Sequence, residues 1–165
     1  MILDLKSIFA AEGSAKQIDY EFDMSDIEFS GVFPLKTPVS VKGGVSNSAG
    51  VVSLVLDIEY TYSAPCDRCG EFAECGHKVK LDKMLAVSIE GEDSDTIITV
   101  PDMKLDVDEL VYSEVILDVP SKHLCKEECK GICSMCGKNL NVEQCTCEKK
   151  EIDPRFAKLA ELLNN

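Results

Sequence analysis

Nine cysteines are set into 165 residues, and eight of them fall into close pairs. Cys66 and Cys69 lie in CDRCGE, and Cys133 and Cys136 lie in CSMCGK. Cys125 and Cys129 are separated by three residues, Cys145 and Cys147 flank Thr146, and Cys75 stands alone. Two pairs have the form C-x-x-C-G. Two intervening residues let the chain turn so that both sulfurs face one centre. The glycine then allows a tight bend that aims amide N–H groups at the sulfurs. Four pairs supply eight thiolates, enough for two tetrahedral sites, and zinc is the ion such a donor set suits.

Loop length assigns the pairs. Only eight residues separate Cys136 from Cys145, so closing that loop costs little entropy. Cys133, Cys136, Cys145 and Cys147 are therefore expected to form one local site. Cys66 and Cys69 would then join Cys125 and Cys129 across about sixty residues, pinning the first part of the chain to its tail. Both sites are expected to be structural, because thiolates are plentiful and catalytic zinc usually keeps an open position beside His or carboxylate ligands.

Other chemistries fit the pairs less well. Nine is an odd number for a disulfide framework. The opening MILDLKSIFAAEGSAKQ has Asp4 inside its apolar start and no basic leader. A signal peptide is not expected, and the protein is placed in the reducing cytoplasm. A thioredoxin-like C-x-x-C needs a βαβ setting, whereas CDRCGE follows a long β-branched run and Pro65. Cys66/Cys69 as a free dithiol at a hairpin tip and Cys125/Cys129 as reduced thiols on a helical turn are the plainer alternatives. Cys75 reads as a free thiol, and His77 and His123 as surface or loop histidines. No phosphate loop, H-E-x-x-H, G-x-S-x-G or dinucleotide fingerprint is present. An enzyme is not expected, nor is a small-molecule substrate.

The charge is uneven. The formal net charge is −13, yet residues 121–165 carry eight Lys/Arg against seven Asp/Glu. The first 120 residues thus hold the whole excess of carboxylates and should repel a phosphate backbone. Any RNA contact is expected in the tail, through Lys126, Lys130, Lys138, Lys149, Lys150 and Arg155. A solvated mixed-charge surface would carry the same residues. The acidic part suits a basic protein partner, or simply keeps the chain soluble.

The elements that must position the cysteines follow from periodicity. Residues 18–23 (IDYEFD) alternate apolar and acidic, as a half-buried strand does. Residues 38–47 and 51–63 form two further strands around the turn-rich NSAG, a β-hairpin connection. Strands are also expected at 77–90 and 96–100, joined by the acidic GEDSD. Asp106 caps a helix over about 106–117, with Glu109 placed for a capping box and Val107, Leu110, Val111 and Val115 on one face. Asp153 and Pro154 open a terminal helix carrying Phe156, Leu159, Ala160 and Leu163. Strands first and helices later mean α+β with a mainly antiparallel sheet: a β-rich part over 1–120 and a cysteine-rich, zinc-binding tail over 121–165 packed on it. No apolar run reaches the roughly 18 residues of a membrane span.

CDRC, the LDVDEL…LDVP stretch, LCKEECKGICSMCGKNLN, CTC and DPRF, in that order, resemble the bacterial YceD family over nearly the whole chain. The resemblance implies a ribosome-biogenesis role in accumulation of large-subunit ribosomal RNA. The implied partners are precursor large-subunit ribosomal RNA or a basic ribosomal protein. Cys66 and Cys69 match the family's N-terminal cysteine pair, Arg68 the basic residue within it, and Cys125 to Cys147 the fuller form of its tail. No catalytic residue is carried over.

Overall fold

The computed structural model describes residues 1–29, 31–88 and 95–147. The elements run β1 (Ile2–Asp4), α1 (Lys6–Ala10), β2 (Ala15–Phe22), β3 (Val39–Ser48), β4 (Val51–Pro65), β5 (Phe72–Ala86), β6 (Ile97–Thr99), β7 (Lys104–Asp106) and α2 (Val107–Asp118). Five strands form one sheet in the order β2-β3-β4-β5-β6, and β1 pairs with β7 in a separate two-stranded ribbon. The class is α+β. All pairings are antiparallel except β5–β6, which is parallel, with Met84 opposite Ile97.

The β3–β4 hairpin turns at Ala49 and Gly50, both with positive φ (51° and 82°). Such a pair matches the right-handed twist of the flanking strands. Asn47 fixes it, its Oδ1 accepting from the Gly50 N–H at 3.1 Å. From there the side chains alternate. Val41 faces Ile58 and Val45 faces Leu54 across β3–β4, and Leu56 faces Leu81 across β4–β5. All six are essentially fully buried on the inner face. The outer face carries rows of alternating charge instead. Asp19, Lys42, Asp57 and Lys80 stand opposite one another in turn across four strands, and Lys78 bonds Glu59 at 2.6 Å.

At Gly43 the backbones of β3 and β4 approach too closely for any side chain. A Cβ there would lie 2.1 Å from the Val55 carbonyl oxygen, and φ is +151°.

Helix α2 covers the inner face. Asp106 caps it by accepting from the Asp108 N–H at 3.0 Å. The cap is one-sided: among the described residues no bond returns from Glu109. Val107, Val111 and Val115 are fully buried, each contributing roughly 1.5–3 kcal/mol by leaving water. Leu110 lies at the rim, half-buried. Two sheet phenols hold the helix at either end: Tyr20 donates to Asp108 and Tyr60 to Asp118, each at 2.7 Å. Burial, then these carboxylates, push both phenols well above their usual pKa.

Several expectations shift. Strand β5 begins at Phe72, not at 77, because Pro65 pairs with Phe72 directly across the CDRCGE turn. Elements β1, α1 and β7 were not anticipated from periodicity. The terminal helix expected from Asp153 lies outside the described residues.

Candidate metal centre

The six residues Cys66–Glu71 connect β4 to β5 as a tight loop. The Cys66 N–H donates to Glu71 O and the Gly70 N–H to Cys66 O, both at 2.8 Å. Gly70 takes φ +73°, a left-handed value that disfavours other residues. The second C-x-x-C-G repeats this turn. The Cys133 N–H donates to Lys138 O at 2.8 Å, the Gly137 N–H to Cys133 O at 2.9 Å, and Gly137 has φ +73°. The same local sequence thus builds the same sulfur-presenting turn twice.

The sulfurs gather in two sets of four. Cys66, Cys69, Cys125 and Cys129 form one, and Cys133, Cys136, Cys145 and Cys147 the other. Within each set the Sγ atoms lie within 4.8 Å of one another. Cys66–Cys129 is 3.8 Å, Cys69–Cys125 3.7 Å and Cys136–Cys145 3.7 Å. Four sulfurs around one ion, each about 2.3 Å from it, stand about 3.8 Å apart. Cys133–Cys145, at 3.3 Å, is tighter. All nine cysteines are free thiols, and these separations are well beyond a sulfur–sulfur bond of about 2.05 Å. Both clusters can therefore hold a metal ion.

The clusters differ in burial. In the first, Cys66, Cys69 and Cys129 are buried and Cys125 is half-buried. In the second, Cys136 and Cys147 are exposed. The first joins the β4–β5 hairpin to the tail, and backbone bonds reinforce the join. The Asp67 N–H donates to His123 O at 2.9 Å, and the His123 N–H donates to the Asp67 carboxylate at 2.7 Å. The Ile132 N–H donates to Arg68 O, and the Arg68 guanidinium donates to Cys129 O at 2.8 Å. Gly131 is needed here, since a Cβ on it would stand 2.9 Å from Arg68 O. Asn141 stitches the second cluster to the first. Its Oδ1 accepts from the Lys130 N–H at 2.9 Å, and its Nδ2 donates to Cys129 Sγ at 3.3 Å.

Electrostatics within each set is unequal. N–H groups of Cys125, Arg68 and Cys69 aimed at Cys66 bring its thiol down to about 6. Those of Cys136 and Met135 do the same for Cys133, also to about 6. Burial and neighbouring thiols push Cys125 up to about 12. Thiol bonds with Cys145 and Cys136 push Cys147 up to about 12. The Glu71 N–H favours the Cys69 thiolate, but burial and the Cys66 and Cys129 thiols together outweigh it and raise Cys69. The Cys147 N–H favours the Cys145 thiolate, but the Cys133 thiol, with burial, prevails and raises Cys145. Cys129 is lowered: burial opposes its thiolate, but the Asn141 amide and the Gly131 N–H overcome it. Each set thus holds one strongly acidic thiol, and most of the others resist ionisation until a cation neutralises them.

Neither histidine belongs to a cluster: His123 lies in the loop after α2, as expected, but is buried there, and His77 stands half-buried on β5. His123 is 5% exposed, its Nε2 3.1 Å from Ala73 O. His77 stacks on Tyr60 at 5.0 Å with Nδ1 3.6 Å from Asp118. Cys75, on β5 opposite Tyr62, lies outside both clusters. Of the tail cations, Lys126 and Lys130 are exposed and Lys138 pairs with Glu143 at 3.1 Å. Lys149, Lys150 and Arg155 lie outside the described residues. Asn141 and Gly131 were missed by sequence reasoning; a glycine and an asparagine flanking cysteine pairs are the signals that could have flagged them.

Sheet, helix and paired turns define a protein whose tail is fastened to a β-hairpin through four cysteines, with a second four-cysteine cluster beyond. The chain belongs to the YceD family, described as large ribosomal RNA subunit accumulation protein, which it matches over residues 54–163. An uncharacterized protein of Mycobacterium tuberculosis is 31% identical over 111 residues, which are 62% of this chain and 53% of that protein. The chain spans about half the length of such mycobacterial relatives. A chloroplast protein of Arabidopsis thaliana, named large ribosomal RNA subunit accumulation protein YCED homolog 1, is 33% identical over 63 residues, 38% of this chain and 20% of that one. The uncharacterized protein YlbN of Bacillus subtilis is 26% identical over 129 residues, covering 77% and 75%. No solved structure gives a significant match. Among the described residues no helix is long and apolar enough to cross a membrane.

Proposed function

We propose that the chain is a non-enzymatic ribosome-biogenesis factor that supports accumulation of large-subunit ribosomal RNA by binding the precursor. Two zinc ions hold its tail in a binding-competent shape. The family and the chloroplast relative's name support the ribosomal role. The observation that carries the binding reading is the composition of the clusters: each is four cysteines and nothing else. Four thiolates fill a tetrahedral ion's coordination, and zinc in such a set has no open position for substrate or water. The tail's Lys126 and Lys130 project into solvent, and Lys138 can exchange Glu143 for a phosphate oxygen. The open sheet face, with its alternating charges, offers no continuous acidic surface to a basic partner.

The test is binding of the full, zinc-loaded chain to precursor large-subunit ribosomal RNA fragments across a salt series. Binding should weaken with salt. A Lys126→Ala/Lys130→Ala/Lys138→Ala variant should flatten the log–log slope by about 0.7–0.9 for each phosphate that is no longer neutralised. Absence of binding, or a variant slope equal to the parent's, would sink the reading.

A further inference from the structure

A groove of about 270 Å³ runs between α2 and strands β6 and β7, lined by Ile98, Leu105, Asp106, Glu109, Leu110 and Ser113. Its floor is apolar. Leu105 belongs to the core, and Ile98 and Leu110 are half-buried at its edge. Two helical turns beyond Leu110, Leu117 is 81% exposed. The rim is acidic. Asp106 is occupied as the helix cap and lies 3.7 Å from the Met1 amino group. Glu109, exposed on α2, has no ion-pair partner among the described residues. Among the described residues, Lys104 is exposed on β7, and Lys83 is committed to the Asp95 carbonyl at 2.5 Å.

We propose that this groove docks a short basic segment of a partner protein. One apolar side chain of that segment sits on Ile98 and Leu110, and its Lys or Arg residues face Glu109, with Asp106 beside it. Charge complementarity selects this occupant. The carboxylates of Asp106 and Glu109 beside an apolar floor repel a nucleic-acid backbone and attract a cationic peptide, steering it and fixing its register. An apolar anchor seated in a pocket supplies most of the affinity at such interfaces. The docking is independent of RNA binding by the tail, since the groove shares no residue with Lys126, Lys130 or Lys138.

The experiment uses the full, zinc-loaded chain and a labelled 12-residue peptide with four Lys/Arg around a central leucine. Fluorescence anisotropy should report salt-sensitive binding. Replacing the peptide's leucine by serine should weaken it by about tenfold or more. Glu109→Lys, a charge reversal at an exposed site, should weaken it about tenfold. Ser113→Trp, which fills the groove from an exposed position, should abolish it. Amide chemical-shift changes in the parent protein should centre on residues 98, 105 and 110, a readout that needs no variant. Absence of binding, equal binding by both variants, or shifts centred elsewhere would overturn the proposal.

Discussion

Breaking the first cluster should cost more than breaking the second, and the chain's connectivity says by how much. A metal bridging two distant segments acts as a cross-link on the unfolded chain, stabilising the fold through lost loop-closure entropy. Cys69 and Cys125 are 56 positions apart, Cys136 and Cys145 only 9. On the loop-entropy relation used for disulfides these separations correspond to about 4 and about 2.5 kcal/mol. For a chain of this size each kcal/mol moves Tm by about 2–4 °C. A Cys66→Ser/Cys69→Ser variant should therefore melt about 8–16 °C below the zinc-loaded parent, and Cys145→Ser/Cys147→Ser about 5–10 °C below it. Differential scanning calorimetry gives the shifts, and native mass spectrometry should count one zinc in each variant against two in the parent. Equal shifts in the two variants, or two zincs retained after removal of Cys66 and Cys69, would refute the cross-link argument.

Zinc loading should release protons. At pH 7 Cys66 and Cys133, at about 6, are already thiolates, whereas Cys125 and Cys147, at about 12, and the raised Cys69 and Cys145 are not. Calorimetric titration in buffers of different ionisation heat should show at least two protons released per ion, with affinity rising as pH rises; fewer than two would contradict the assignment. In the loaded fold the sulfurs bind fewer protons than in the unfolded chain, so stability must fall as pH drops. Gly43→Ala places a methyl group against the Val55 carbonyl and should destabilise by about 3 kcal/mol; a denaturation midpoint matching the parent's would show that the strands can part there. Tyr60→Phe removes the bond to Asp118 and should cost about 1 kcal/mol, read by urea unfolding; no change would mean the bond does not hold α2.

Much of the fold was legible because the inner face keeps a strict two-residue period. Strands expected at 38–47 and 51–63 appear as Val39–Ser48 and Val51–Pro65 around the turn at Ala49 and Gly50. The grouping of the cysteines followed from loop length and the repeated C-x-x-C-G turn. What escaped was long-range or too short to show a period. Strands β1 and β7 are three residues each and meet across about a hundred positions. The parallel seat of β6 beside β5 cannot be read from the composition of Ile97–Thr99, which suits a strand of either direction. His123 gave no sign of burial, because its partners, Asp67 and Ala73, lie some fifty positions upstream. Glu109, expected to close a capping box, shows its place at the groove only once α2 is set beside β6 and β7.

The first cluster also sets a timetable. Its two halves lie 63 positions apart between Cys66 and Cys129, and a chain is made from its N-terminus at about 5–20 residues per second. For roughly 3–13 s after the β4–β5 turn is synthesised, its two thiols have no tail to meet. During that interval the pair is open to oxidation, or to a metal ion held by two sulfurs alone. Arrival of Cys125 and Cys129 ends the exposure. The second cluster needs no such wait, since all four of its cysteines leave the ribosome within one short stretch.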